Sequence, residues 1–199
     1  MPEIEIIDLN PDNIADYGVC GYKDLKKHKE LRKKIEWYKE YYPLGLRIKI
    51  VMSKKGGYQG MLEYIPGKYA HRPVEAEGYM FIHCIFVGFR KEFKGQGMAS
   101  LLLDECIKEA KDKDMLGVGV VTRKGPFMAG NDIFLNKGFE VVDSAKVDFN
   151  LMVKKFDEKS QENSPCAFGS FCLIYNGEIL SYHPISKTRF ENIMKKALE

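Results

Sequence analysis

Phe86-Val87-Gly88-Phe89-Arg90-Lys91-Glu92-Phe93-Lys94-Gly95-Gln96-Gly97-Met98-Ala99-Ser100 is the stretch whose reading decides the fold, because it joins an apolar run to an amphipathic one. Upstream, Tyr79 to Val87 is almost continuously apolar and aromatic, as suits a central strand covered on both faces. Downstream, Ala99, Leu102, Leu103, Cys106 and Ala110 fall on one stripe and predict a helix over Gly97–Lys113, followed by a strand over Leu116–Thr122. Between them Gly95 and Gly97 lack a Cβ, so the chain can turn sharply and approach a bound group while the first N–H groups of the helix stay unpaired. Such donors, aided by the helix dipole and by Lys91 and Lys94, suit a phosphate. A tight turn without a ligand would use the same two glycines.

Working outward, Glu3–Leu9 alternates like a strand, and Asn10-Pro11-Asp12 has turn chemistry that can also start a helix. Leu31, Ile35, Tyr38 and Tyr42 share one helical face within Asp24–Tyr42, which leaves Lys26, Lys27, Lys33 and Lys34 to be read as a solvated face. Arg47–Ser53 and Tyr58–Ile65 read as a hairpin closed by Lys54-Lys55-Gly56-Gly57, and a loop from Pro66 to Gly78 leads into the central strand. After it come a helix over Phe127–Asn136 capped at Gly138 and strands over Glu140–Asp143 and Val147–Phe156. The polar stretch Asp157–Ser164 reads as a linker. Beyond it lie strands over Phe171–Tyr175 and Glu178–Tyr182 and a helix over Ser186–Leu198, a ββα piece too small to stand alone. It must dock on the main module or on a second copy of the chain as a homodimer.

The 199 residues suffice for one domain with an appendage, and 45% hydrophobic with 30% charged residues is ordinary for a globular chain. A net charge of +3, from 31 basic against 28 acidic residues, is too balanced to imply nucleic acid. Acidic residues where a leader needs basic ones, and no apolar run near membrane length, predict a cytoplasmic protein with no membrane partner. The five cysteines, Cys20, Cys84, Cys106, Cys166 and Cys172, form no close Cys-x-x-Cys pair, so no metal site is expected.

Val87 followed eight residues later by Gly95-Gln96-Gly97 and a helix resembles the acetyl-CoA motif of GNAT acetyltransferases, and Phe134-Leu135-Asn136-Lys137-Gly138-Phe139 resembles the late helix of that superfamily. The order of elements is similar as well. The resemblance implies an α/β (α+β) fold: a mixed, mostly antiparallel sheet with helices on both faces over residues 1–156, with a small ββα extension over residues 157–199. It implies transfer of acetyl from acetyl-CoA to a primary amine by direct attack. The backbone of Ile85, Phe86 and Val87 would meet the pantetheine arm; Phe93, Lys94, Gly95, Gln96, Gly97, Met98 and Ala99 would hold the diphosphate; Asn131 and Phe134 would also meet the cofactor. Two positions depart from the pattern. Glu92 stands where Arg or Gln is usual, and Phe134 stands where many members have a tyrosine that protonates the leaving thiolate.

A base is needed to take the amine proton, and His83 is the best-placed candidate on parity, sharing the face of Ile85 and Val87, with Cys84 facing away. Arylalkylamine acetyltransferases of the superfamily carry a histidine on this strand. A structural histidine is the other reading. Glu63 on the preceding strand is the second candidate base, acting through water, or a plain strand residue. Residues from Ser164 to Gly177, with the helix after them, resemble the YoaP-like domain found behind some GNAT modules. Small-molecule or peptide amines all stay open as acceptors, polyamine, amino acid, antibiotic and protein terminus among them. A coenzyme A sensor with reduced catalysis is the alternative suggested by Glu92 and Phe134. A thiol-based redox protein using Cys166 and Cys172 is a third reading.

Overall fold

A computed structural model describes residues 4–88, 95–125, 128–145, 148–156, 173–175 and 178–181, together with Phe190, Asn192 and Lys195. Sequence expectations for Phe93, Lys94, Glu92, the 157–164 linker, Cys166, Cys172 and most of the last helix lie outside these residues. In chain order the elements are β1 (Ile4–Asp8), α1 (Ile14–Tyr17), α2 (Lys29–Tyr41), β2 (Arg47–Ser53), β3 (Gly57–Pro66), β4 (Tyr79–Val87), α3 (Met98–Asp112), β5 (Gly117–Arg123), α4 (Asp132–Leu135), β6 (Glu140–Ala145) and β7 (Phe149–Lys155). A separate two-stranded hairpin pairs β8 (Leu173–Tyr175) with β9 (Glu178–Ser181).

The seven strands form one sheet in the order β1-β2-β3-β4-β5-β7-β6, antiparallel except for the parallel β4–β5 pair. Apolar stripes on the helices explain the layering. Leu31, Ile35 and Tyr38 of α2 pack with Ile48, Ile50, Met61 and Ile65 on one face of the sheet. Leu102, Leu103, Cys106 and Ala110 of α3 pack on the other face with Leu62, Met80, Ile82, Val118 and Val120, joined by Phe134 and Phe139 around α4. The expected α/β sheet with helices on both faces is therefore present.

Two helices are shorter than the apolar pattern predicts. Continuous helix begins at Lys29 rather than Asp24: the Asp24 carboxylate accepts the N–H groups of Lys26 and Lys27 and its carbonyl that of His28, which makes one capped turn ahead of α2. Phe127, where the second expected helix starts, lies outside the described residues, and α4 begins at Asp132. Before it, the carbonyl of Ala129 accepts from the Arg123 N–H, which ties the segment to the end of β5, and Gly130 is a poor helix former. Gly138, with φ of +77°, ends the α4 region as expected.

A polar network ties β3 to α3. The Tyr64 hydroxyl, fully buried, donates to Glu109, whose other partners are Lys113 at 2.6 Å and Arg47 at 3.6 Å. Burial pushes the Glu109 carboxyl upward, but the hydrogen bonds from Lys113 and Tyr64 outweigh it and hold the group below the usual carboxylate range. A carboxyl held down in this way stabilises the fold fully above its unfolded value, about 4.3, and that contribution is lost as pH falls through the folded value. Tyr64→Phe should lower unfolding free energy by about 1–2 kcal/mol at pH 7. In urea titrations the gap between variant and parent should narrow at pH 3.5; a gap independent of pH would contradict the assignment.

Candidate active site

β4 and β5 pair only from Tyr79↔Gly117 to Ile82↔Val120, and beyond that point they part. One cause is visible in the pairing with β3: Tyr64 faces Ile82 and Glu63 faces Cys84, so His83 is an extra residue, a bulge. The bulge reverses the alternation. Met80, Ile82, Ile85 and Val87 pack on the α3 side, while Phe86 packs on the α2 side. His83 therefore does not share the face of Ile85 and Val87, as simple parity had suggested, nor does Cys84 face away from it. Both lie on the side of Glu63 and α2.

Past the bulge β4 offers a free edge. The Gly88 N–H donates to Gln59, so strand alternation turns the peptide groups of Phe86 toward β3 and those of Ile85 and Val87 toward the split. A cavity of about 450 Å³ lies along this edge, lined by Cys84 to Val87 and closed by Ala99, Ala129 and Ile133. It continues into a second cavity of about 480 Å³, which shares Val87, Ala99 and Ile133 and adds Gly95, Gln96, Gly97 and Met98. Gly95 and Gly97 have φ of +73° and +75°, and a Cβ at either would project into open space. The glycines therefore serve the backbone conformation rather than close packing. With α3 starting at Met98, its first amides open on this cavity.

The remaining cofactor candidates lie elsewhere. Phe134 is fully buried, edge-on to Phe139 at 5.4 Å, and swinging it into the cleft would forfeit about 1.5–3 kcal/mol of burial. Its role in the fold is packing. Asn131 accepts a 2.6 Å hydrogen bond from the Thr122 hydroxyl and lines a different, polar cavity of about 650 Å³ next to the β6–β7 turn.

His83 sits in a tight polar cluster. Its Nδ1 faces Glu63 Oε1 at 3.4 Å, with both side chains over nine-tenths covered, and its Nε2 accepts the backbone N–H of His71 at 3.1 Å. With a carboxylate on one nitrogen and an amide donor on the other, the network assigns the Nδ1–H tautomer. Glu63 also holds the Lys34 ammonium at 2.6 Å. Burial alone would raise its carboxyl, yet the His83 hydrogen bond and Lys34 hold it below the ordinary range. Such an anion is a weak base and a good anchor. Cys84 is the reverse case: burial first, then the nearby Cys20, push its thiol up to about 11, so it is not primed as a nucleophile.

Four residues of this cluster, Lys34, Trp37, Tyr41 and His71, escaped the sequence reading. Lys34, on the helix face read as solvated, pairs with Glu63 and lies 3.9 Å over the Trp37 ring. Trp37 and Tyr41, one turn apart on α2, flank the His71 ring at 5.3 and 4.7 Å. A histidine in the loop and a tryptophan one step off the apolar stripe were the available signals.

Compared with known proteins, residues 155–192 match the YoaP-like family model. The uncharacterized N-acetyltransferase YoaP of Bacillus subtilis (strain 168) is 30% identical over 149 residues, 73% of this chain. The chain is similar to members of the YoaP-like family. The resemblance read from the glycine motif and from the C-terminal piece is thereby borne out. The chain spans 57% of the length of the Bacillus protein. Among solved structures, yncA of Salmonella typhimurium, solved with its cofactor acetyl-CoA, superposes with a TM-score of 0.55 at 16% identity, covering 78% of this chain and 95% of that one. PaiA N-acetyltransferase of Thermoplasma acidophilum, solved with coenzyme A, gives 0.51 at 17%, over 77% and 99%. The ribosomal-protein-alanine N-acetyltransferase of Brucella melitensis gives 0.52 at 18%, over 76% and 99%. These likenesses establish the GNAT fold. Among the described residues no helix is long and apolar enough to cross a membrane, and no group of three His, Cys, Asp or Glu side chains could hold a metal ion.

Proposed function

We propose that this chain transfers acetyl from acetyl-CoA to a primary amine. The observation that carries the reading is the split between β4 and β5, whose free backbone edge leads into a turn of two positive-φ glycines. That cleft suits a long, thin ligand with an anionic end: peptide groups of Ile85 and Val87 would hold the amide-rich pantetheine arm, and the turn from Gly95 to Ala99 would hold the diphosphate. Acetyl-CoA supplies the activated thioester.

Chemistry at the inner end falls to His83, adjacent in sequence to the cleft residue Cys84. The amine nitrogen attacks the acetyl carbonyl, and its proton goes to His83 Nε2 as the carbon–nitrogen bond forms. The carbon–sulfur bond breaks, and the thiolate leaves with the electron pair. Glu63 acts as a positioning residue: it holds Nδ1–H, keeps Nε2 as the basic atom and stabilises the imidazolium that forms, while Lys34 keeps Glu63 anionic. Since Phe134 is in the core and cannot donate, the thiolate takes its proton from water or from His83.

Thiol release from acetyl-CoA, read with a thiol-reactive dye across a panel of amines, tests the reading. The expected result is amine-dependent release matched mole for mole by an acetylated product in the mass spectrum. Coenzyme A binding without release above the protein-free rate would make the chain a binding module instead.

A further inference from the structure

We infer that the acceptor is an amine carrying an aromatic ring two carbons from its nitrogen, and that His71 occupies the acceptor's place in the resting protein. The inference rests on the acyl-transfer reading above and concerns the side of the site that faces α2.

Nε2 is the atom that must receive the acceptor's proton, and in the structure it already receives one hydrogen bond, from the His71 backbone N–H at 3.1 Å. The ring of the same residue lies edge-on to Tyr41 at 4.7 Å, tilted against Trp37 at 5.3 Å, and 5.8 Å from the His83 ring. From that nitrogen to that ring there are two carbons, Cα and Cβ. A donor nitrogen on Nε2 and a flat ring against Trp37 and Tyr41, joined by two carbons, is the outline of an arylethylamine. His71 thus fills its own protein's site with a fragment of the ligand's shape.

The occupant is placed to leave. His71 is exposed, and it belongs to the irregular stretch between Tyr69 and Tyr79 rather than to a helix or strand. Its departure disrupts no element and would uncover His83, whose side chain is 93% covered while His71 is in place. The rings left behind favour an aromatic replacement, since an edge-to-face pair is worth about 0.5–1.5 kcal/mol beyond its buried area, a factor of roughly two to ten. Charge argues against a polycation. The Glu63 carboxylate is already shared by Lys34 and His83, and the Lys34 ammonium stands over Trp37, so a second ammonium on the acceptor would meet a like charge.

Free arylethylamines and the α-amines of aromatic amino acids share this skeleton, and 2-phenylethylamine and phenylalanine amide separate the two sources. In the thiol-release assay both should exceed propylamine in kcat/KM by about tenfold, and benzylamine, 3-phenylpropylamine and spermidine should fall with propylamine. The better of the first two assigns the source. A second readout does not depend on turnover: Trp37 is the chain's one tryptophan, so its emission reports the site directly. With coenzyme A bound, 2-phenylethylamine should change that emission saturably, and propylamine should not. His71→Gly, which removes the resident ring, should lower KM for 2-phenylethylamine severalfold.

Equal kcat/KM for propylamine, or Trp37 emission indifferent to 2-phenylethylamine, would overturn this inference and leave acyl transfer standing. A saturable change at Trp37 without thiol release from any amine would overturn acyl transfer while keeping the aromatic site.

Discussion

A His83→Gln variant should transfer acetyl groups roughly a hundredfold or more slowly than the parent, with coenzyme A affinity unchanged. Glutamine can fill the space and accept the His71 N–H, but it cannot take a proton. The proposed cofactor edge consists of the peptide groups of Ile85 and Val87, beyond the bulge, so binding and chemistry should separate cleanly. Glu63→Gln supplies the companion measurement. It leaves the carboxylate's shape but removes the anion that fixes Nδ1–H, so kcat should fall while KM for acetyl-CoA stays put. If His83→Gln keeps parental turnover, the histidine is a structural residue and the proton takes another path.

Gly97→Val is expected to abolish coenzyme A binding, as measured by calorimetry. Gly97 caps α3 with φ of +75°, a region where a β-branched residue is an outlier costing about 1–3 kcal/mol, and the new side chain would stand in the 480 Å³ cavity. Loss of stability alone could mimic loss of a site, and Gly57→Val controls for it. Gly57 has φ of +67° and equally open surroundings, but it lies at the β2–β3 turn, away from the cavity. Both variants should melt at similarly reduced temperatures, and only Gly97→Val should lose the ligand. Retained affinity in Gly97→Val would move the diphosphate elsewhere.

Much of the fold was legible because its signals are local. The glycine turn, the α3 stripe and the hairpin of β2 and β3 each need only a dozen residues of sequence to be read, and their boundaries fall close to those expected. The site was legible along the chain but not across it. Nothing in the run Tyr79–Val87 betrays the bulge, because apolar residues on both sides of it hide a change of alternation, and so the parity of His83 and Cys84 came out wrong. Phe134 matched a motif position whose usual chemistry it lacks, and the core claimed it. At Asp24 a helix start signal is present, but the turn it caps stops before α2 begins at Lys29. Lys34, Trp37 and His71 come together only through packing of α2 and a loop against β3 and β4, a long-range arrangement with no period to reveal it.

The extra residue at His83 also sets what kinds of genetic change this protein can absorb. On the far side of the bulge the groups turned to the split are peptide groups, so Ile85 and Val87 can be exchanged for other strand-forming side chains with the hydrogen-bonding edge intact. A length change is different. Losing one residue between Ile82 and Cys84 would restore a regular ladder with every later side chain of β4 on its present face, but it would take away His83 and straighten the bend at which β4 leaves β5. Drift by substitution is tolerated there, whereas a single in-frame codon deletion at the bulge would take out the proposed base and the bend together.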